Sequence, residues 1–303
     1  QGLQTDTFVQ DVQPKADILL TVDDSCSMSD KQTNLSNNFT AFIQYAVGAG
    51  VDYQLGVTTT SDDVPDCFGG ICTPTGPGGR LQGDANNPKI LTPATPNVAQ
   101  KFQQKVVVGT NGGTEAGLIT SLKALTPPLI GNENAGFLRY DANLAVVVVS
   151  DAGDQSAQPY SYFFNRFLNI KGFNRASMFT FNDIGPLAAS APSGCTYDDY
   201  TNSLSYQNLA NATNGVLTEI CTNNWSQKLQ DLGKTAFGFR TVFYLTATPD
   251  LSAGKTLDVK VNGVAAGVGD WTYDAASNAV KFDPMKTPGS GKTLTVTYFT
   301  ACL

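Results

Sequence analysis

The chain has 303 residues, a formal net charge of -7 at pH 7, 41% hydrophobic and 15% charged residues, and no histidine. Such a composition excludes extended disorder and suits one domain of roughly 200 residues plus a smaller module. The acidic balance, without any Lys/Arg-rich stretch, excludes a nucleic-acid partner, and lacking imidazole the chain loses serine triads, cysteine proteases and most zinc hydrolases, so no enzyme is expected.

No run of 18 apolar residues offers a transmembrane segment. Gln1 opens a polar stretch without signal-peptide character, so an export signal is expected to have been removed, and a lipid anchor could have gone with it. Asp17 to Val22 is an apolar run ending in Asp23-Asp24-Ser25-Cys26-Ser27-Met28 and reads as a buried strand feeding a polar loop. From Ser29 to Val47, Leu35, Phe39, Phe42, Ile43 and Ala46 recur at helical spacing. Tyr53 to Thr58 is a second strand, and the resulting βαβ unit implies a parallel sheet.

Residues 62–100 are rich in Gly, Pro, Asn and Asp and read as a loop insertion carrying Cys67 and Cys72. Lys105 to Val108 then leads into Gly109-Thr110-Asn111-Gly112-Gly113-Thr114-Glu115, with helical character to Leu125. Leu144 to Val149, with its four consecutive valines, is the signature of a central strand covered on both faces, and it ends in Ser150-Asp151-Ala152-Gly153-Asp154. Tyr160 to Ile170 predicts a helix, Ala176 to Phe181 a strand, Asn214 to Ile220 an edge strand and Trp225 to Leu232 a helix. Beyond Arg240 the pattern becomes short alternating segments, predicting a small β-sandwich over 241–303. Residues 1–240 are accordingly assigned to an α/β domain.

Six cysteines form an even set suited to an oxidising compartment. Local context pairs Cys67 with Cys72 and Cys195 with Cys221, leaving Cys26 and Cys302, although six cysteines permit 15 connectivities. Gly254-Lys255-Thr256 and Gly291-Lys292-Thr293 imitate the end of a phosphate loop, but they precede strands and lack its earlier glycine. Asn-x-Ser/Thr sequons at Asn34, Asn38, Asn211 and Asn224 include two on one predicted helix, a poor place for glycans, which leans towards a bacterial secreted source.

Three polar clusters follow predicted parallel strands, where open α/β sheets place their ligand sites. Their carboxylates and hydroxyls suit a hard cation: magnesium, calcium or manganese. Asp23-x-Ser25-x-Ser27 followed by Met28 resembles the first metal motif of the von Willebrand factor type A family, Gly112-Gly113-Thr114 the second and Ser150-Asp151 the third. The resemblance spans roughly residues 15–235. It implies a doubly wound, mostly parallel sheet flanked by helices. It also implies a metal-ion-dependent adhesion site, with Ser25, Ser27 and Thr114 as direct ligands and Asp23 and Asp151 supplying charge, partly through water. Thr110, in the same loop, is the alternative threonine. Asp24, Glu115 and Asp154 flank the motifs as orienting groups or as caps.

The expected function is metal-dependent adhesion or ligand recognition at a cell surface, outside the cell or in the periplasm. The ion would bind an acidic group of a protein partner, or a glycan. The alternative is an assembly component of a surface or periplasmic complex.

Overall fold

The structure, a computed structural model, describes residues 2–10, 14–48, 50–64, 67–68, 71–72, 76–198, 200, 203–222, 224–283 and 286–300. In chain order the strands and helices are β1 (Leu3–Val9), β2 (Lys15–Val22), α1 (Ser29–Asn38), α2 (Thr40–Gly48), β3 (Asp52–Thr59), β4 (Cys67–Phe68), β5 (Ile71–Cys72), α3 (Val98–Lys105), α4 (Gly117–Leu125), β6 (Asn143–Val149), α5 (Tyr160–Lys171), β7 (Phe179–Gly185), α6 (Ser203–Ala212), β8 (Leu217–Glu219) and α7 (Trp225–Ala236). They continue with β9 (Val242–Tyr244), β10 (Asp258–Val261), β11 (Val264–Ala265), β12 (Trp271–Asp274), β13 (Ala279–Phe282) and β14 (Thr293–Phe299). The chain divides into two compact units, residues 15–237 and residues 1–14 with 238–303.

In the larger unit five strands form a parallel sheet in the order β3-β2-β6-β7-β8. The valine strand β6 lies at its centre, and Val146 to Val149 are fully buried, as a strand covered on both faces requires. Helix α4 meets β2 through a buried bond between Ser121 Oγ and Thr21 Oγ1 at 2.7 Å. Tyr53 of β3 packs near Phe237, which also meets Phe42 of α2. The single helix expected over 29–47 is divided at Phe39. Asn37 and Asn38 are weak helix formers, and the Asn38 side chain bonds back to the Asn34 carbonyl at 2.9 Å, which favours termination. Helices α3 and α6, unannounced by the sequence pattern, fill the connections before α4 and β8.

At the opposite end of the strands from the polar loops, Arg139 binds Asp17 through its backbone N–H at 2.6 Å and its Nε at 2.7 Å, and Asp52 through Nη1 at 2.8 Å. This ion set, buried at Asp17 and open to solvent at Asp52, fixes the entry to β6 beside β2 and β3. Burial raises the Asp17 carboxyl, and the Arg139 bonds oppose that rise.

The smaller unit contains two antiparallel sheets, β1-β14-β10-β11 and β12-β13-β9, around Phe243, Val259, Val280, Phe282, Leu294 and Val296. The Asn262-Gly263 turn joins β10 to β11 with both residues at positive φ (48° and 79°), the conformation that a tight two-residue hairpin demands. Residues 1–14, grouped with the α/β segment by the sequence reading, belong here: β1 pairs with β14 along Leu3–Val9. The reason is chemical as well as topological. Asp6 is buried and accepts bonds from the Thr246 amide (2.8 Å), the Tyr298 hydroxyl (2.8 Å) and the Gln4 side chain (3.1 Å). Burial works against its ionisation, yet these bonds together hold its carboxyl below the usual value.

The Cys195–Cys221 disulfide is present, with Cα atoms 5.8 Å apart, and is compatible with an exported protein. Cys67 and Cys72 are register partners of the β4–β5 hairpin; their side chains and Cys302 lie outside the described residues. Among the described residues Cys26 has no disulfide partner and is exposed, and no helix is long and apolar enough to cross a membrane.

Candidate cation site

Strand β2 delivers Asp23 and β6 delivers Ser150 and Asp151 side by side, because the two strands are parallel neighbours ending in register at Val22 and Val149. The Asp23 amide donates to the Val149 carbonyl at 2.9 Å, so the ladder continues one residue into the polar loops. Asp23 is fully buried. Its Oδ1 accepts the Ser25 amide at 2.8 Å and its Oδ2 accepts the Ser150 hydroxyl at 2.5 Å. Ser25 Oγ and Ser27 Oγ are 3.0 Å apart, and Ser27 Oγ donates to Asp151 Oδ1 at 2.9 Å. Four of the five residues expected from sequence, Asp23, Ser25, Ser27 and Asp151, thus stand in one continuous hydrogen-bonded set.

Thr114, the fifth, comes to the same end of the sheet by a different route. Its Oγ1 accepts the Asp62 amide at 3.2 Å, and Lys123 of α4 pairs with the Asp62 carboxylate. Its loop is pinned to the first motif where the Gly112 amide donates to the Asp24 carbonyl at 2.7 Å. Asp24 in turn accepts the Ser61 hydroxyl at 2.8 Å. A β-carbon at Gly112 would collide with both the Asp24 carboxylate and Ser61, so this position has room only for glycine. Thr110 lies half-buried in the same loop.

Two residues that sequence reasoning missed sit inside this framework. Gln32, on the first turns of α1, is buried and donates to the Asp23 carbonyl at 2.8 Å and the Gly109 carbonyl at 2.7 Å, joining the first and second motifs. Lys31 is only 3% exposed; its Nζ lies 3.1 Å from Asp151 Oδ2, 3.2 Å from Asp30 and 3.2 Å from the Ser27 carbonyl. The only sequence signal for either was a polar residue on the apolar side of an amphipathic helix.

The negative charge here is concentrated. Burial pushes Asp23 up to about 6, with the nearby Asp151 charge adding to the rise. Burial likewise pushes Glu115 up to about 8, reinforced by Asp23, Asp198 and Asp151. Asp198 arrives from the loop carrying Cys195, its amide donating to the Asp151 carbonyl at 3.0 Å. Asp154 serves differently: its Oδ1 accepts the Leu118 amide at 3.1 Å and the Ser156 hydroxyl at 2.9 Å, so it caps the start of α4.

Among the described residues there is no cluster of three or more Asp, Glu, Cys or His side chains suited to a metal ion. The donor set is instead two carboxylates with hydroxyls between them, hard oxygen donors suited to magnesium, manganese or calcium rather than zinc. Two buried acids already raised by desolvation, with Lys31 as the compensating charge, are a setting that a divalent cation would relieve.

No family model and no curated protein matches this chain. Among solved structures it is similar to proximal thread matrix protein 1 from the mussel byssus, at 18% identity and TM-score 0.45, over 75% of this chain and 49% of that one. It is also similar to the pilus adhesin SpaC from Lactobacillus rhamnosus GG, at 12% identity and TM-score 0.45, over 98% of this chain and 41% of that one. The human COPII-coat protein Sec24c matches at 9% identity and TM-score 0.42, over 99% of this chain and 42% of that one. The chain spans half or less of each of these proteins.

Proposed function

We propose that residues 15–237 form a doubly wound domain of the von Willebrand factor type A kind, and that the polar loops above β2 and β6 hold a divalent cation for recognition of a partner's acidic group. The observation that carries this reading is the hydrogen-bonded set of Asp23, Ser25, Ser27 and Asp151, which joins two sequence motifs more than 120 residues apart into one oxygen-donor cluster. In this reading Ser25, Ser27 and Thr114 are the direct ligands, and Asp23 and Asp151 supply charge. When bound, the cation supplies a Lewis-acidic position for a partner carboxylate. Gln32, Ser150 and Gly112 hold the loops that present the ligands, and Asp24 with Ser61 holds Gly112.

Calorimetric titration with magnesium and manganese tests the proposal. One ion per chain is expected, and Asp23→Ala combined with Ser25→Ala is expected to abolish binding. Equal binding by the double variant would remove the site. A pull-down from candidate cell surfaces, run with and without chelator, then tests recognition: capture that survives chelation argues for permanent assembly instead.

A further inference from the structure

A polar cavity of about 350 Å³ opens beside the end of α3, lined by the Gln82–Asn87 loop, by Gln104 and Lys105, and by Val107 and Val108. None of these residues takes part in the cation site. Lys105 is nearly buried, and its Nζ donates to the Gln82 carbonyl at 2.6 Å and the Asn87 carbonyl at 3.4 Å. Burial brings its ammonium down to about 8, against the opposing pull of Asp84. Asp84 Oδ1 accepts the Asn86 and Asn87 amides at 2.7 and 3.0 Å.

These contacts limit what the cavity can hold. The two carbonyl oxygens that would coordinate a cation are already occupied by the ammonium, and that charge repels a second one. An anion meets the Asp84 carboxylate. With one charge of each sign in the lining, a neutral occupant has the least desolvation to overcome. The carboxamides of Gln82, Asn86 and Gln104 each present both donors and an acceptor, which matches hydroxyl groups acting in both senses. Val107, 51% exposed, and Val108 add apolar surface for the C–H face of a ring. The volume lies at the small end of ligand sites, which run from about 300 to 1,000 Å³, and suits one or two sugar rings.

We propose that this cavity binds a neutral glycan, through the carboxamides and Asp84 to its hydroxyls and through Val107 and Val108 to its ring face. The site is independent of the cation. Its Val107 and Val108 nonetheless lead directly in sequence into Gly109–Thr114, the loop that also carries the second metal motif.

A glycan microarray probed in chelator, with competition by the methyl glycoside of the terminal residue of any hit, tests this directly. Neutral glycans are expected to bind, and the methyl glycoside to compete. Asn86→Ala with Gln104→Ala, both exposed, should weaken binding at least tenfold while leaving the melting temperature unchanged; Asp84→Ala should weaken binding as much but also lower the melting temperature, because it removes the acceptor of the Asn86 and Asn87 amides. The Asp23→Ala/Ser25→Ala variant should bind as well as the parent. Absence of any neutral glycan among the hits, or binding indifferent to the cavity variants, would overturn the proposal. Binding that required a divalent cation and was lost with Asp23 and Ser25 would also overturn it, by moving the glycan to the cation.

Discussion

Lys31 is the ammonium that balances Asp151, and replacing it with methionine separates the charge from the hydrophobic stem. The Nζ–Oδ2 distance is 3.1 Å, and the two side chains are 3% and 0% exposed. At an effective dielectric of about 20 that pair is worth about 5 kcal/mol, and breaking a buried pair typically costs about 3–5 kcal/mol. Asp151 has an escape: protonation at pH 7 from its unfolded value near 3.8 costs about 4 kcal/mol, which caps the loss. Without a cation, Lys31→Met should therefore destabilise the protein by about 3–4 kcal/mol. With the cation bound, Asp151 has another counter-charge and the loss should shrink to about 1 kcal/mol, mainly the lost bond to the Ser27 carbonyl. The difference of about 2–3 kcal/mol is the coupling between Lys31 and the ion, equivalent to a roughly 30- to 150-fold tightening of cation affinity. Urea melts of parent and variant in chelator and in saturating magnesium close this cycle. Destabilisation of the same size in both conditions would show that Lys31 and the cation do not share Asp151, and the charge argument would fail.

Two further outcomes follow from the packing. Burial raises Asp154 to about 6, so it folds more readily protonated than ionised; its contribution is full below pH 3.8 and is lost as pH rises through about 6. Asp154→Asn keeps the acceptor used by Leu118 and Ser156, and urea melts should show its stability relative to the parent improving by about 3 kcal/mol between pH 3 and pH 8; a relative stability independent of pH would contradict the assignment. A fragment of residues 15–237 should unfold in one cooperative step and bind manganese as the full chain does, whereas 1–240 leaves β1 without β14 and should aggregate through its exposed strand edge, as light scattering would reveal. If 1–240 stays monomeric and 15–237 does not fold, the division of the chain is wrong.

Much of the parallel sheet was legible because its signal is local. Val146 to Val149 can only be a buried strand, and the polar residues after Val22 and Val149 fall at strand ends whatever the connections do. The β-module was equally readable, as a run of short alternating segments and turn residues beyond Arg240. Strand β1 was not. Gln-Thr-Asp-Thr carries little apolar signal, and its place is set by Asp6 meeting Thr246 and Tyr298, some 240 and 292 residues away. Helix α6 was hidden for a similar reason: its buried Tyr206 and Leu209 are spaced by Asn and Gln that lack a clear apolar stripe.

The candidate site divides along the same line, and the division explains how such a site can be built at all. Asp23, Ser25, Ser27 and Asp151 are visible because each must sit within a few residues of a strand end, which fixes its position by local geometry alone. Lys31, Gln32 and Asp198 have no such constraint. Gln32 acts through two carbonyls, at Asp23 and Gly109, that a sequence does not display; Asp198 depends on a loop closed by Cys195 and Cys221. Donor oxygens come from the strand ends, while helix α1 and the disulfide loop set the charge and hold the loops together. On the proposed reading, altering the first group should abolish cation binding, and altering the second should change its affinity.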